Sequence, residues 1–478
     1  MTQSEYIAAL DLGTSRMIAM VGRKDENGIL SVEASEKIDS GSCMRKGYVY
    51  NVEDAGKKVE QLISKINSRL SPKIEKVYVG IGGQSIHMEP YIATRQIDGI
   101  IDEAVLLSME KECEAYDPEL YNVIEVLSPE YYLDGHLTAA PKGLQCKNLE
   151  AHYKLILGRF SIENNLRASI GEKAKLKVAG YITTPVASAE AVLAEREKEL
   201  GCALVEFGAG VTYVSVYKNS FLKHLVTIPI GGNVITKDIS TMNILEDEAE
   251  NLKINWGSAF VELDDQVKIE EHPQIKIKDL NSVIEARLNE ILANVLEQIK
   301  LSGFNNENLG AGIIITGGGS KLKRIADVFR KKSGMEVRSA AIKKTLVNQA
   351  VNWANDNSNA AIVGLLSLGK ENCAAPVQAT VVDKKGQIGI FGDTEVEVSN
   401  PGGNTQTGGR GDRKLPGQKE PKPGTGKLES GGDRGTGGIF GKIKDLFDDA
   451  SKALLADEES GDVDSQEEEN SNKNQPSK

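Results

Sequence analysis

Short apolar runs separated by polar turns fill the first part of the chain. Residues 6–11, 17–22 and 29–38 are three such runs, and residues 76–81 are a fourth. Their length and spacing predict β-strands, the first three joined as a β-meander. Before the fourth run, over residues 52–70, the apolar positions change to the spacing of an amphipathic helix. One face of that helix carries Val52, Ala55, Val59, Leu62, Ile63, Ile66 and Leu70.

The same order of elements returns in the second part of the chain. Three strands are predicted at residues 202–206, 211–217 and 222–228. A helix at residues 280–301 and a fourth strand at residues 312–316 follow them. Asp11-Leu12-Gly13 can be laid over Glu206-Phe207-Gly208 in this repeat. The recurring order β-β-β-α-β predicts an α/β protein with two duplicated halves and a cleft between them.

The composition changes after about residue 371. Residues 399–438 are rich in Gly, Pro, Lys and Asp and nearly free of large apolar side chains, which predicts a flexible linker with a mean span of roughly 35 Å. Helical apolar spacing then returns over residues 439–456, and the acidic residues 457–478 are predicted to be disordered. The apolar face of this tail helix is formed by Ile439, Phe440, Ile443, Leu446, Phe447 and Leu454.

Composition and charge argue against several classes of protein. The chain has 478 residues, with 69 Asp and Glu against 57 Lys and Arg, and this acidic balance argues against a nucleic-acid binder. Its five cysteines form no CxxC pair, so buried free thiols are expected rather than disulfides or a zinc site. The polar N-terminus does not resemble a signal peptide, and the apolar runs are too short to span a bilayer. A cytoplasmic protein with at most peripheral membrane contact is therefore expected.

Two hairpin turns carry glycines in equivalent positions. The first reads Asp11-Leu12-Gly13-Thr14-Ser15 and the second Glu206-Phe207-Gly208-Ala209-Gly210. Glycine leaves room for a phosphate near the backbone, and the hydroxyl and N–H groups of Thr14 and Ser15 can donate to its oxygens. Asp11 ends its strand, where a carboxylate can hold the water shell of a magnesium ion. Either turn alone is also typical of an ordinary polar hairpin, but two that face one cleft predict a polyphosphate clamp.

Two further features point to a nucleotide. An apolar strand leads into Gly317-Gly318-Gly319, and a helix is predicted from about Lys321. Such a turn lets a nucleotide lie against bare backbone, and a helix start favours its anionic part; a flexible loop is the alternative. Glu250 and Lys253 share one face of a predicted helix at residues 246–256, which alone is typical of a surface ion pair.

Together these residues resemble the phosphate-1, phosphate-2 and adenosine motifs of the actin, Hsp70 and sugar-kinase superfamily. Within it, residues 5–370 and the tail helix resemble the FtsA family of bacterial cell-division proteins. The closer resemblance is carried by residues 77–83, 126–135, 141–151 and 228–239. It implies actin-like (RNase H-like) halves around a nucleotide cleft, with an extra subdomain of FtsA type that contributes to filament and partner contacts in relatives.

The resemblance also implies roles for individual residues. Asp11 and Glu206 would hold Mg²⁺ through water, and Glu250 and Lys253 would contact the ribose and adenine of ATP. The other expected nucleotide contacts are Gly13, Thr14, Ser15, Gly208, Gly210, Gly231, Gly232, Asn233, Gly317, Gly318 and Gly319.

Two positions depart from the superfamily pattern. Glu206 stands where Asp is usual, and its extra methylene displaces the carboxylate by about 1.5 Å. Thr184 precedes Pro185, where Hsp70 relatives carry a glutamate, so a group that would orient the attacking water is missing. Because phosphoryl transfer depends on positioning, we expect slow or absent hydrolysis and assign no catalytic residue.

The tail helix has three lysines against three aspartates, whereas membrane-surface helices are usually richer in basic residues. Membrane insertion would then depend on its apolar face and on many copies in a filament. A helix that docks on the body or on a partner protein is the alternative, but the long flexible linker favours the membrane. The acidic residues 457–478 are expected to oppose membrane binding by repulsion.

The domain organisation follows from the repeat, the composition and the resemblance. The first actin-like domain is expected at residues 1–81, 161–199 and 346–390, the inserted subdomain at 82–160, and the second domain at 200–345 with a small subdomain at 230–280. A flexible linker at 391–438, an amphipathic membrane helix at 439–456 and an acidic tail at 457–478 are expected to follow.

The function implied by the resemblance is that of a cell-division scaffold. It would bind ATP, self-assemble in actin-like fashion, and tether the FtsZ ring to the inner face of the cytoplasmic membrane at the septum, together with other division proteins. The partner surface is expected at about residues 231–273. The main alternative is a sugar kinase, which needs a carboxylate base beside a polar sugar pocket. An Hsp70-like motor and an actin-like pilus or rod-shape protein are further alternatives.

Overall fold

A computed structural model describes residues 5–138, 140–261, 268–269, 272, 274–347 and 355–376. The predicted linker at residues 391–438, the tail helix at 439–456 and the acidic tail at 457–478 lie outside the described residues. The first half begins with β1 (Ile7–Leu12), β2 (Arg16–Lys24), β3 (Leu30–Asp39), the short strands β4 (Met44–Arg45) and β5 (Tyr48–Val49), helix α1 (Val52–Asn67) and β6 (Lys76–Ile81).

The segment that follows contains β7 (His87–Ile100), α2 (Glu103–Glu114), β8 (Tyr121–Leu133), β9 (His136–Thr138) and β10 (Gln145–Arg159). The chain then continues with α3 (Phe160–Arg167), β11 (Lys177–Thr183), α4 (Thr184–Val192) and α5 (Glu195–Leu200). The second half contains β12 (Cys202–Phe207), β13 (Thr212–Lys218), β14 (Phe221–Ile228), α6 (Gly232–Ser240), α7 (Glu246–Trp256), α8 (Ile277–Leu301), β15 (Ile313–Thr316), α9 (Ile325–Ser333) and β16 (Val337–Ser339), and α10 (Ala360–Leu368) comes last.

Helix α1 forms where the apolar stripe predicts it. The Asn51 side chain accepts a hydrogen bond from the Asp54 N–H at 3.1 Å, which satisfies one of the free donors at the helix start. The stripe from Ala55 to Ile66 is buried against the first sheet. The helix ends at Asn67, three residues earlier than predicted, because the chain turns toward Pro72.

The two halves repeat one sheet topology. Among the described residues, five strands form the first sheet in the order β11-β6-β1-β2-β3. The second sheet contains the matching order β16-β15-β12-β13-β14. In each half, three strands form an antiparallel meander. A later strand pairs in parallel with the first strand of the meander, and one further strand pairs in parallel with that later strand. The predicted duplication is therefore confirmed, and the first turns of the two meanders face the same cleft.

The segment inserted between β6 and α3 extends the sheet of the second half. Its strands continue that sheet in the order β14-β7-β10-β8-β9, through a pairing of Val226 with His87. The segment also has its own core, in which Met109, Leu149 and Tyr153 are buried. An insertion that follows a strand of the first half is thus attached to the second half as well.

Separate apolar clusters support the two walls of the cleft. The first surrounds α1, α4 and α10, and a Cβ on Gly364 of α10 would overlap the carbonyl oxygen of Ala187 in α4. The second cluster surrounds α8, which is buried along one face from Leu280 to Ile299. The five cysteines are free and buried, as expected. No helix in the described part of the chain is long and apolar enough to cross a bilayer.

Candidate nucleotide-binding cleft

One cleft of about 670 Å³ lies between the two halves. This volume is within the range of small-molecule sites. Every residue that the sequence singled out for the nucleotide lines it. These are Asp11, Gly13, Thr14, Ser15, Glu206, Gly208, Gly210, Gly231, Gly232, Asn233, Glu250, Lys253, Gly317, Gly318 and Gly319. The structure brings this set together, and the role of each residue toward a nucleotide stays a prediction.

The two glycine hairpins have the same backbone geometry. The Gly13 N–H donates to the Arg16 carbonyl at 3.0 Å, and the Gly208 N–H donates to the Val211 carbonyl at 2.9 Å. A Cβ on either glycine would lie 2.8 Å from the carbonyl oxygen that closes its turn. Glycine is required at both positions because any larger residue would clash with its own turn.

The hairpins also contact each other. A Cβ on Gly210 would lie 2.5 Å from Thr14 Oγ1, so the second hairpin carries no side chain where the first carries its hydroxyl. The same Thr14 Oγ1 accepts a hydrogen bond of 2.8 Å from the Gly47 N–H, at the turn between β4 and β5. Two turns from different halves are thereby held at one end of the cleft, as a clamp on a polyphosphate requires.

Two partly buried carboxyl groups, Asp11 and Glu206, lie at equivalent positions in this clamp. Burial raises the pKa of Asp11 to about 6, although the Arg16 guanidinium opposes the rise. Burial, with a smaller contribution from the Asp11 charge, raises the pKa of Glu206 to about 8, although the nearby Ser188 hydroxyl opposes it. Glu206 Oε2 is buried without a hydrogen-bond partner among the described residues. Two such groups fit a hydrated divalent cation, since a cation would stabilise both ionised forms.

The start of α6 closes one side of the cleft. The Gly232 N–H donates to the Gly208 carbonyl at 2.9 Å, and the Asn233 N–H donates to the Ala209 carbonyl at 2.8 Å. A Cβ on Gly231 would lie 2.6 Å from those same two carbonyl oxygens. This helix start is therefore fixed to the second hairpin by backbone contacts, which only a glycine at residue 231 permits.

Glu250 and Lys253 belong to a partly buried hydrogen-bond network and are more than a simple surface ion pair. The Lys253 ammonium lies 2.6 Å from Glu250 Oε2 and also donates to Thr236 Oγ1 at 2.7 Å and to the Gly232 carbonyl at 3.0 Å. The Thr236 hydroxyl in turn donates to Glu250. Only 13% of the Lys253 side chain is exposed. The network orders α7 against α6 and presents polar groups to the cleft beside the start of α6.

The turn after β15 differs from the expected one. The α-helix predicted from about Lys321 begins only at Ile325, and Gly318–Lys321 form a single 3₁₀ turn. The Ser320 N–H and hydroxyl both bond the Gly317 carbonyl, and Arg324 adopts a left-handed conformation with φ 63° that interrupts helical geometry. The prediction of a helix N-terminus facing an anion at Lys321 was therefore wrong.

The glycines of this turn serve different purposes. Gly317 has φ 84°, and a Cβ there would lie 2.5 Å from the Phe207 carbonyl oxygen, so both conformation and space require glycine. A Cβ on Gly318 would meet nothing within 4 Å. The backbone at Gly318 is thus open to the cleft, which agrees with the expectation of bare backbone along a ligand.

Sequence reasoning missed several polar residues that line the same cleft. The Arg16 guanidinium donates to Ser358 Oγ at 2.9 Å, and Lys321 lies 2.7 Å from Asp356. Hydrogen bonds from Lys321 and Ser358 outweigh burial and lower the pKa of Asp356 to about 2. These contacts join the first hairpin to the turn after β15. No sequence pattern indicated the contact of Arg16, because Arg16 and Ser358 are more than 300 residues apart.

Tyr213 was also missed, although a signal existed. With a turn at Gly208 and Gly210, simple hairpin pairing places Tyr213 directly opposite Glu206, and the structure has this pairing. Tyr213 and Thr184 both line the cleft together with Asp11 and Glu206. Because residue 184, before Pro185, is a threonine and not a glutamate, it adds a hydroxyl group to the cleft in addition to that of Tyr213.

Several known proteins are similar to this chain in sequence. The family profile described as "Cell division protein FtsA" matches residues 203–364. The FtsA of Porphyromonas gingivalis is 31% identical over 398 residues, which cover 80% of this chain and 82% of that protein. The FtsA of Neisseria meningitidis serogroup B is 30% identical over 351 residues, which cover 71% of this chain and 84% of that protein.

Among solved structures, a chain of the PilM-PilN type IV pilus biogenesis complex has a similar fold. It superposes with a TM-score of 0.54 at 16% identity and covers 75% of this chain and 97% of its own length. At that identity the similarity concerns the fold alone, which is the duplicated, actin-like one.

Proposed function

Because this chain belongs to the family of the cell division protein FtsA, we propose that it is a nucleotide-gated division scaffold. It binds ATP with Mg²⁺ in the cleft, self-assembles in actin-like fashion, and tethers FtsZ to the inner face of the cytoplasmic membrane at the septum. The observation that carries the proposal is the convergence of two glycine hairpins and a glycine turn on one cleft, each supplied by a separate part of the chain.

The chemistry of the cleft supports a nucleoside triphosphate. The hairpins at Gly13 and Gly208 present N–H and hydroxyl donors from one half and bare backbone from the other. Asp11 and Glu206 would hold the water shell of Mg²⁺, which neutralises phosphate charge when bound. The Lys253 network would receive the ribose and adenine. With Thr184 before Pro185, this chain offers no carboxylate for orienting water there, so turnover is slow or absent.

The partner surface is proposed at residues 231–273. Several large apolar side chains of this region are exposed and available for contact with a partner. Leu245, immediately before α7, is 71% exposed, and Phe260, after the helix, is 37% exposed. FtsZ, or a neighbouring copy in a filament, would cover these side chains.

The membrane anchor is proposed at residues 439–456, from the sequence pattern described above. Its apolar face from Ile439 to Leu454 inserts into the lipid surface, and the linker lets the folded body move relative to it. Because the helix carries no net positive charge, several anchors in one filament act together.

Co-sedimentation with anionic liposomes tests the anchor. The full chain and a chain ending at Gly438 are compared, each with and without Mg·ATP. We expect only the full chain to pellet with lipid and to carry added FtsZ with it. If both chains stay in the supernatant, the tail helix is not a membrane anchor and the tether is refuted.

Isothermal titration with Mg·ATP tests the cleft separately. The wild-type chain and Gly210→Val are compared, because a side chain at residue 210 would overlap Thr14 and separate the hairpins. Binding by the wild type and loss of binding in the variant are expected. Equal binding would contradict the assignment of the hairpins, and circular dichroism controls for folding.

A further inference from the structure

Three polar side chains with unused hydrogen-bonding capacity converge at one end of the cleft. A Cβ on Gly82 would lie 2.5 Å from the Tyr213 hydroxyl and 3.2 Å from Thr184 Oγ1, so these two oxygens flank one glycine. Tyr213 is 6% exposed and Thr184 is 8% exposed. Glu206, opposite Tyr213 on the neighbouring strand, has its buried Oε2 unpartnered among the described residues. Buried polar groups are rarely left unpaired, which indicates that a ligand completes this end.

The Tyr213 hydroxyl has one hydrogen bond and one free proton. It accepts from the Gly83 N–H at 2.9 Å, and no acceptor for its own proton lies among the described residues. A tyrosine hydroxyl is a donor as well as an acceptor, so its proton is available to a ligand. A donor held beside the hairpins suits an anionic oxygen at the far end of a polyphosphate.

The same hydroxyl connects the cleft to the inserted segment β7–β10. Gly83 lies four residues before β7 and has φ 133°. A Cβ on Gly47 would lie 3.0 Å from the Gly83 Cα and 3.2 Å from the Tyr213 hydroxyl, while the Gly47 N–H donates to Thr14 of the first hairpin. Both hairpins therefore meet the start of the inserted segment at a single packed point.

We propose that Tyr213 is the residue with which the cleft discriminates a nucleoside triphosphate from a diphosphate, and that its bond to Gly83 passes the difference to the inserted segment. The inference rests on the proposed nucleotide function and adds a specificity residue to it. A terminal phosphate accepts the free proton of the hydroxyl. Donating that proton polarises the phenol oxygen and strengthens its bond from the Gly83 N–H, because linked hydrogen bonds reinforce one another. A diphosphate leaves the buried donor unpaired.

The test uses the full chain and Tyr213→Phe, which keeps the ring and removes only the hydroxyl. Calorimetry measures the affinity for a non-hydrolysable ATP analogue and for ADP, both with Mg²⁺. We expect about tenfold weaker triphosphate binding in the variant and ADP binding within about twofold of wild type. Hydrogen exchange over residues 87–159 should differ between the two nucleotides in the wild type and not in the variant.

Thr227→Val is the matched control. The Thr227 hydroxyl donates to the Ile86 carbonyl at 2.7 Å, so this variant also removes one bond from the second half to the root of the inserted segment, outside the cleft. It should keep the wild-type preference for the triphosphate. Equal loss of preference in both variants, or an unchanged preference in Tyr213→Phe, would overturn the inference.

Two further results distinguish failure of this inference from failure of the proposed nucleotide binding. A wild-type chain that binds neither nucleotide refutes the proposed function and the inference together. If Tyr213→Phe does not fold, exchange at the Gly83 amide of the wild type decides. Stronger protection with the triphosphate analogue than with ADP supports the inference, and equal protection overturns it.

Discussion

Replacing Glu206 with glutamine should remove a pH-dependent instability of the ligand-free protein. Burial raises the pKa of Glu206 from 4.5 to about 8. At a pH between these values the unfolded chain has released a proton that the folded chain retains. The free energy of unfolding therefore falls as the pH rises, by about 1.4 kcal/mol per pH unit, and the loss is complete above about pH 8. Glutamine has nearly the same shape and does not titrate.

The pH range can be chosen so that Glu206 dominates. Burial raises the pKa of Asp11 only to about 6, so the contribution of Asp11 is mostly complete below pH 6.5. Between pH 6.5 and pH 8 the wild type should lose about 2 kcal/mol more than Glu206→Gln. Because a carboxyl group this close to a second one titrates partly as a pair, the comparison of slopes is more informative than either absolute value.

Urea unfolding followed by circular dichroism at several pH values, without nucleotide or Mg²⁺, measures this difference. Glu307→Gln, which removes one exposed carboxylate far along the chain from the hairpins, controls for the loss of a formal charge and should keep the wild-type slope. Parallel curves for the wild type and Glu206→Gln from pH 6.5 to pH 8 would refute the reasoning, because Glu206 would then be ionised in the folded protein.

Three other predictions follow from single contacts. Gly364→Ala should lower the free energy of unfolding by about 2 kcal/mol or more, because the new methyl group would overlap the Ala187 carbonyl, and an unchanged melting temperature would contradict this close packing. Lys253→Met should weaken Mg·ATP binding about tenfold in calorimetry, since it removes the donor to the Gly232 carbonyl and the partner of Glu250. Equal affinity would show that the adenine of ATP binds elsewhere in the cleft. Deleting residues 457–478 should increase binding to anionic liposomes at low salt and not at high salt, and unchanged sedimentation would exclude repulsion by the acidic tail.

Local patterns predicted the elements of the two halves well. The strand at Lys76–Ile81 and helix α7 at Glu246–Trp256 have the predicted bounds, and strand β12 differs by one residue. These elements are each specified by a short apolar run or stripe with polar neighbours, so the information lies within a few residues. The overlay of Asp11 on Glu206 was also predictable, because both turns have the same length and the same glycine.

Contacts between distant segments could not be predicted in this way. Nothing near β7 indicates that it pairs with β14, because alternating strands can join any open sheet edge. The helix expected at Lys321 failed for a related reason. Gly317 follows a path set by the Phe207 backbone packed against it, and tertiary packing of this kind overrides the local preference of the residues that follow.

Duplication explains the chemical asymmetry of the cleft. The two hairpins share a backbone, yet the first carries hydroxyl groups at Thr14 and Ser15 where the second carries Ala209 and Gly210. They approach so closely that a Cβ on Gly210 would lie 2.5 Å from Thr14 Oγ1, so only one of them can hold a side chain at their contact. A clamp made from two copies of one turn must therefore place its side-chain donors on one side and bare backbone on the other.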